Sequence, residues 1–229
     1  MTKTFFVVAF LGAATLASVL LVSETLRGKV SNRLHNAYIH IRYQPDTPEE
    51  LGNGRPASEI LLHDPMGLAR DGEGNLYVSD RGLILNWAYR GQVVWKIDPG
   101  GIARIIAGNG RRGTPTTGVP ATLSNLGSPE GIAVDGAGRV YIADHENNVV
   151  LRVESNGLLT RIAGTGEKGF GGDNGPANRA KLNRPYDVRL DQDGNLYVAD
   201  QGNNRIRRIS PEGYITTVAG TGDAGYSGD

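Results

Sequence analysis

The stretch PEGIAVDGAGRVYIADHENNVVLRV at residues 129–153 returns as PYDVRLDQDGNLYVADQGNNRIRRI at 185–209. The interval of 56 that relates these copies also relates Asp144 to Asp200, and Ala107-Gly108 to Ala163-Gly164 and Ala219-Gly220. A looser copy holds Pro65-Met66-Gly67, EGNLYVSD at 73–80 and Asp80, but lies 64 residues before its counterpart, which places eight extra residues between Asp80 and about Gln92. Self-similarity at such a period marks a supersecondary unit that buries its apolar surface against copies of itself.

Each copy contains four apolar runs of strand length, in the middle copy GIAVD, VYIAD, VVLRV and LLTRIAG. Gly-containing turns separate the first run from the second (GEGN, GAG, QDGN) and the third from the fourth (DPGG, ESNG, SPEG). In such hairpin turns Gly or Asn supplies the positive φ. The 33 glycines in 229 residues, well above the average usage of ~7%, fit a chain with many of them. No useful 3.6-residue period occurs, so a helical solenoid is excluded. Four short antiparallel strands in ~40–50 residues are the sequence form of a propeller blade. Because both faces of a blade pack on neighbours, its strands read as near-continuous apolar runs.

The predicted fold is therefore all-β: a β-propeller of four-stranded antiparallel blades at about 65–108, 129–164 and 185–220, within a domain spanning 54–229. The motif order P-x-x-Φ-x-Φ-D, G-x-Φ-Y-Φ-A-D, N-N-x-Φ, with Φ apolar, resembles the NHL repeat in the two close copies. The resemblance extends over about 160 residues from Pro65; the first copy departs by lacking Asn-Asn and by carrying the insertion. PASEILLHDP (56–65), PATLSNLGSP (120–129) and PANRAKLNRP (176–185) share their spacing, so a connector precedes each blade, and AGTGDAGYSGD (219–229) repeats the opening of another. Propellers close with 4–8 blades, and three blades alone leave apolar faces and strand edges open. The expectation is a longer protein with six blades in all.

Ahead of the repeats, Phe5 to Val22 is an apolar run without a charge, near the ~18–20 residues that span a bilayer. It is read as an N-terminal hydrophobic helix, residues 1–23 serving as a signal peptide or a membrane anchor. Residues 24–53, with Pro45 and Pro48, read as a linker. Arg27, Lys29 and Arg33 follow the run while Lys3 alone precedes it, which by the positive-inside rule keeps the body cytoplasmic. Export is nonetheless expected, because an N-terminal apolar run on a soluble body is most often an export device. The body is thus placed outside the cytoplasm, with the membrane contacted through the N-terminal segment. With 24 basic and 24 acidic residues in balance, no nucleic-acid partner is expected. The absence of cysteine excludes disulfides, thiolate metal sites and cysteine nucleophiles.

Topology assigns the spare length to one face. In an antiparallel blade the loop between the second and third strands and the connector to the next blade leave on the same side. The insertion at 81–91 and the connectors at 108–128 and 164–184 are therefore expected on one face, opposite the tight turns at 136–138 and 192–195. Binding surfaces are usually built from loops on a rigid scaffold, so this face is the candidate for binding a protein or glycan ligand. Asp80, Asp144 and Asp200 recur in every copy and are read as scaffold that bonds the following loop, with Lys96, Arg152 and Arg208 as internal partners. Met66, Glu130 and Tyr186, one after each blade-initial Pro, and Asp187 are expected to look into the central channel. Because they differ between copies they are better functional candidates.

His145 on a loop and Trp87 and Tyr89 on the insertion complete the binding set. DQDGN (191–195) has its Gly fourth, where an EF-hand loop needs it sixth. GTGEKGFGGDNGPA (164–177) lacks the Lys-Ser/Thr of a P-loop. The four histidines are scattered and read as exposed, so three cannot converge on a channel zinc. Two functions stand: a non-catalytic extracytoplasmic binding scaffold without a cofactor, or a metal-dependent propeller enzyme of the lyase or lactone hydrolase type, holding calcium or zinc in its channel. With no His trio and no Ser/His/Asp set, the first is preferred, and no catalytic residue is assigned.

Overall fold

The computed structural model describes residues 51–85 and 88–225. They form fifteen strands and short 3-10 turns, arranged as three antiparallel four-stranded blades. The first is built from β1 (Pro65–Arg70), β2 (Leu76–Asp80), β5 (Val93–Ile97) and β6 (Ala103–Ala107), and between β2 and β5 the pair β3 (Leu83–Leu85) and β4 (Ala88–Arg90) forms a separate hairpin. The second consists of β7 (Pro129–Val134), β8 (Val140–Asp144), β9 (Val149–Val153) and β10 (Leu159–Ala163). The third consists of β12 (Pro185–Leu190), β13 (Leu196–Asp200), β14 (Arg205–Ile209) and β15 (Tyr214–Ala219), with β11 (Gly175–Pro176) added outside β15. The eight-residue insertion is thus the β3–β4 hairpin, with Leu83 opposite Arg90. Among the described residues no helix is long and apolar enough to cross a membrane. The expected hydrophobic helix, residues 1–23 and most of the 24–53 linker lie outside the described residues.

The first turn of each blade is a carboxylate-centred device. Asp71, Asp135 and Asp191 each accept two backbone amides on one oxygen, from the residues two and four positions on, at 2.8–3.0 Å. The other oxygen takes Asn75 and Tyr77, Arg139 and Tyr141, or Asn195. Burial works to raise Asp135, but the bonds from Arg139 and Tyr141 outweigh it and its pKa falls below the ordinary 3.8. Asp71 is lowered against burial by Asn75, and Asp191 is lowered by Asn195. A carboxylate held below its unfolded value contributes stability above that value and loses it as the pH falls through the folded one. Asp135→Asn should therefore lose less stability than wild type between about pH 4 and about pH 2, measured by denaturant unfolding, with both curves parallel above about pH 5.

Blades pack face to face through one apolar layer each. Tyr77, Val94 and Ala107 of the first meet Ile132, Ile142 and Leu151 of the second, and Tyr141, Val150 and Ala163 of the second meet Val188, Val198 and Ile215 of the third. Leu126 and Leu182, from the connectors, are fully buried in these same layers. Each such side chain removed from water contributes roughly 1.5–3 kcal/mol. At the inner strands the blades approach closer still. A Cβ on Gly67 would lie 2.6 Å from Glu130 O, and one on Gly131 would lie 2.5 Å from Asp187 Cα, so neither position accepts a side chain.

The connectors depart from expectation. Their ends do lie on one side, because Pro129 and Val149 both pair with Asp144 and Val150 pairs with Ala163. Their middles run along the outermost strand of the following blade to its far end. Pro56 pairs with Ile102, Pro120 with Leu158 and Pro176 with Tyr214, and the amides of Ala57, Ala121 and Ala177 bond to Gly101, Gly157 and Gly213 in the tight turns. An uncovered outer strand would offer unpaired N–H and C=O groups to any other strand. The shared Pro-Ala spacing is thus an edge cover, and only the connector ends belong to the loop face.

Candidate ligand-binding face

Asp80, Asp144 and Asp200 are fully buried where the second strand of each blade ends. Asp80 accepts the amides of His63, Asp64 and Gly82 at 2.8–3.0 Å. Asp144 accepts those of Gly127 and Ser128 at 3.0 Å and the Asn147 Nδ2 at 2.9 Å. Asp200 accepts the amide of Asn183 and the Asn203 Nδ2, both at 2.7 Å. Burial pushes the Asp144 and Asp200 carboxyls up, and these donors oppose it. Each carboxylate thus joins the end of a connector to the loop after its strand.

Lys96, Arg152 and Arg208 are not the partners of these carboxylates. They stand opposite Tyr77, Tyr141 and Tyr197, three positions before each Asp and so on the other face of the sheet. Lys96 and Arg152 lie over the rings of Tyr77 and Tyr141, 5.6 and 5.8 Å from the centroids. The cation that does reach one carboxylate is Arg207, opposite Val198 and hence on the face of Asp200. It is fully buried, with Nη1 3.2 Å from Asp200 and Nη2 2.7 Å from Asp173. Nη1 and Nη2 also donate to the carbonyls of Lys181 and Gly171, and Phe170 covers the guanidinium at 4.9 Å.

The functional candidates gather at the loop-face end of the inner strands. Three sets of equivalent positions meet there: Arg81, His145 and Gln201 after each buried Asp; Asp64, Ser128 and Arg184 before each Pro; and Met66, Glu130 and Tyr186 after it. Arg81, half exposed, donates to Asp64 through Nε at 2.9 Å and Nη2 at 2.6 Å, and to Glu130 of the next blade through Nη1 at 3.3 Å. The bond to Asp64 raises the Arg81 pKa and holds the group charged. Glu130 is buried, takes the Ser128 hydroxyl at 3.0 Å on Oε1 and leaves Oε2 without a hydrogen-bond partner. Ser79 accepts the Gly67 amide at 2.8 Å and donates to the Glu130 carbonyl.

One blade further round the same relation recurs with other chemistry. The His145 ring meets Tyr186 edge-on at 6.3 Å, and Tyr186 is exposed. His145 and His63 are part-buried, not freely exposed as read from the sequence. Asp187 stands where the first two blades have Gly67 and Gly131, and its Oδ1 accepts Arg189 Nη1 and its neighbour's amide at 2.9 Å. Met66 is part-buried at the corresponding place in the first blade. Tyr89 lies in β4 of the insertion hairpin. Trp87 lies outside the described residues.

A neighbouring groove of about 360 Å³ was not foreseen. It is lined by Arg112, Gly113, Thr114, Gly127, Glu146 and Asn147, and an Arg112–Glu146 ion pair crosses it. The loop 145–148 divides the two features, with His145 toward Tyr186 and Glu146 and Asn147 toward the groove. At the interval of 56, Gly127 becomes Asn183 and Glu146 becomes Gly202, and there the Asn183 amide donates to Gly202 O at 2.7 Å. Thr114 becomes Phe170, which lies 3.8 Å from the Arg205 guanidinium. Reading the two connectors against each other is the signal that marks this place. Among the described residues no three His, Asp or Glu side chains converge to hold a metal ion.

Four-stranded antiparallel blades stacked face to face, with variable residues gathered at one end, define a β-propeller repeat protein. The sequence model of the NHL repeat matches residues 126–152 and 182–209, in the second and third blades, and the chain is an NHL-repeat protein. It is similar to SUPPRESSOR OF QUENCHING 1 of Arabidopsis thaliana, 27% identical over 183 residues, covering 76% of this chain and 17% of that protein. It is also similar to mouse Teneurin-1, 31% identical over 184 residues, covering 71% of this chain and 6% of that one. The chain thus spans a small part of the relatives it matches. A structural-genomics protein of unknown function from Bacteroides thetaiotaomicron shares the fold, with a TM-score of 0.50 and 24% identity over 63% of this chain and 33% of its own.

Proposed function

We propose that the chain is a non-catalytic binding module that presents its loop face to a protein or glycan ligand outside the cytoplasm, carried there by the apolar segment at 5–22. The observation that carries this reading is the division of labour along the repeat. The recurrent Asp80, Asp144 and Asp200 are buried and bonded by the chain around them, whereas Arg81, His145, Glu146 and Tyr186 differ from their equivalents and stand part-exposed or exposed on one face. Exposed Tyr186, met edge-on by His145, is the kind of aromatic residue that anchors interfaces. The groove beside it adds a concave, charged wall.

The test is a screen of the full-length chain, fluorescently labelled in detergent, against arrayed glycans and displayed extracellular domains. Binding weakened at least ~10-fold by Tyr186→Ala or Glu146→Ala, with unchanged unfolding temperature, is the expected result. Turnover of lactones or esters that disappears on chelation and returns with calcium or zinc would overturn the reading in favour of the enzyme. Accessibility of the blades to protease added to intact cells tests the placement, and protection would refute it.

A further inference from the structure

The groove beside the loop 145–148 is built from side chains that the next repeat does not share. In the third blade Phe170 stands in the place of Thr114 and lies on the Arg205 and Arg207 guanidiniums, and Asn183, in the place of Gly127, donates to the carbonyl of Gly202. The backbones of the two connectors are nevertheless held alike. The amides of Gly113 and Gly169 bond to Leu126 and Leu182, and Asn147 and Asn203 donate through Nδ2 to the carbonyls of Gly113 and Gly169. A blade is thus completed equally well with Lys168, Phe170 and Gly202 in the places of Arg112, Thr114 and Glu146. The Arg112–Glu146 pair that crosses the groove has side chains 27% and 38% exposed, and ion pairs so exposed contribute little to stability.

We propose that this groove takes a neutral saccharide and reads two adjacent hydroxyls of one sugar ring; the inference rests on the binding-module reading above and narrows its ligand. The lining holds Arg112, Thr114, Glu146, Asn147 and two glycines, without a large apolar side chain, whereas the anchors of a bound protein fill apolar pockets. Its volume of about 360 Å³ is at the small end for ligand sites and suits a compact polar group. The charges of Arg112 and Glu146 cancel, so the lining favours neither an anion nor a cation. What it offers is donors and acceptors together, and a hydroxyl answers both.

The placement of these groups fits a pair of neighbouring hydroxyls. Glu146 meets Arg112 side-on, Oε2 with Nε and Oε1 with Nη2. A carboxylate has about four lone-pair sites, so each oxygen keeps one with which to accept a hydroxyl, and the two oxygens lie side by side as vicinal hydroxyls do. Asn147 spends both amide hydrogens, on the Gly113 carbonyl at 3.0 Å and on Asp144 at 2.9 Å, and keeps Oδ1 as a fixed acceptor. The exposed Thr114 hydroxyl, on the connector wall, adds a group that donates and accepts. Both walls are tied by these bonds before a ligand arrives, so little is left to order on binding.

The test uses the full-length chain in a detergent without a sugar headgroup, against immobilised neutral oligosaccharides ending in glucose, galactose or mannose. Each is offered before and after periodate, which cleaves the bond between adjacent hydroxyl-bearing carbons. Wild type should retain at least one intact series, and periodate should weaken that binding at least ~10-fold. Glu146→Gln should weaken it at least ~10-fold. Thr114→Phe, which installs the residue the chain itself places at 170, should abolish it with unchanged unfolding temperature, and Lys168→Ala on the third connector should leave it unchanged. If Thr114→Phe lowers the unfolding temperature, Glu146→Gln decides alone. Binding that survives periodate, binding confined to acidic saccharides, equal binding by Glu146→Gln and wild type, or no binding to any neutral saccharide would each overturn the proposal. Capture of displayed protein domains in that last case would leave the binding module standing, whereas metal-dependent turnover of lactones or esters would remove both readings.

Discussion

Replacing Arg207 by leucine should lower stability by about 3–5 kcal/mol, the range for removing one partner from a buried ion pair. For a chain of this size that is a fall on the order of 10 °C in the unfolding temperature, read by thermal denaturation. The argument is sharpened by the repeat itself, since Leu151 occupies the same position in the second blade and is fully buried among apolar neighbours. The substitution is thus sterically precedented, and its cost is electrostatic. Asp200 loses its cation in the interior, Asp173 loses a 2.7 Å partner, and the carbonyls of Gly171 and Lys181 lose their donors. A shift no larger than that of an exposed substitution would mean that the guanidinium does not hold the connector to the third blade.

Gly164→Ala should cost about 3 kcal/mol and Gly194→Ala about 1 kcal/mol, although the two glycines have nearly the same backbone, φ +84° and +81°. An L side chain pays the left-handed conformation at both. At Gly164 the added Cβ also meets the Asn148 carbonyl oxygen and lies 2.9 Å from Val149 Cα, where backbone cannot yield. At Gly194 the nearest atom is Pro211 Cγ at 3.6 Å, an ordinary contact. Equal losses in denaturant unfolding would show that conformation alone, and not the close passage of the chain after β10, requires glycine at 164.

The blades were legible because each is written in local terms: a carboxylate-and-glycine turn, strand-length apolar runs, and a period that repeats them. What escaped sequence reasoning was set by partners distant in the chain. The pairing of Asp200 with Arg207, and not with Arg208, follows from strand parity once the register is known, and parity was available in the motif. The insertion after Asp80 counted in the sequence only as spare length on the loop face, yet its two ends pair as β3 and β4. Connectors look structureless in composition, and their bonds to the outer strand join residues about forty apart. Of the site, the variable positions after each Pro were visible from the repeat. The groove at Arg112 and Glu146 was not, because it arises from what Gly127 lacks.

The course of the connectors fixes where this architecture can be cut. Pro120 and Ala121 complete the blade that starts at Pro129, by bonding a strand and turn made some forty residues later. A module that begins at Pro129 would therefore shed its own outer seam, and one that ends at Ser128 would carry a dangling segment with nothing to cover. The transferable unit starts after Gly108 or Gly164 and ends after the fourth strand that follows. In graft design the frame of the repeat in the sequence is therefore displaced by one connector from the frame of the repeat in space.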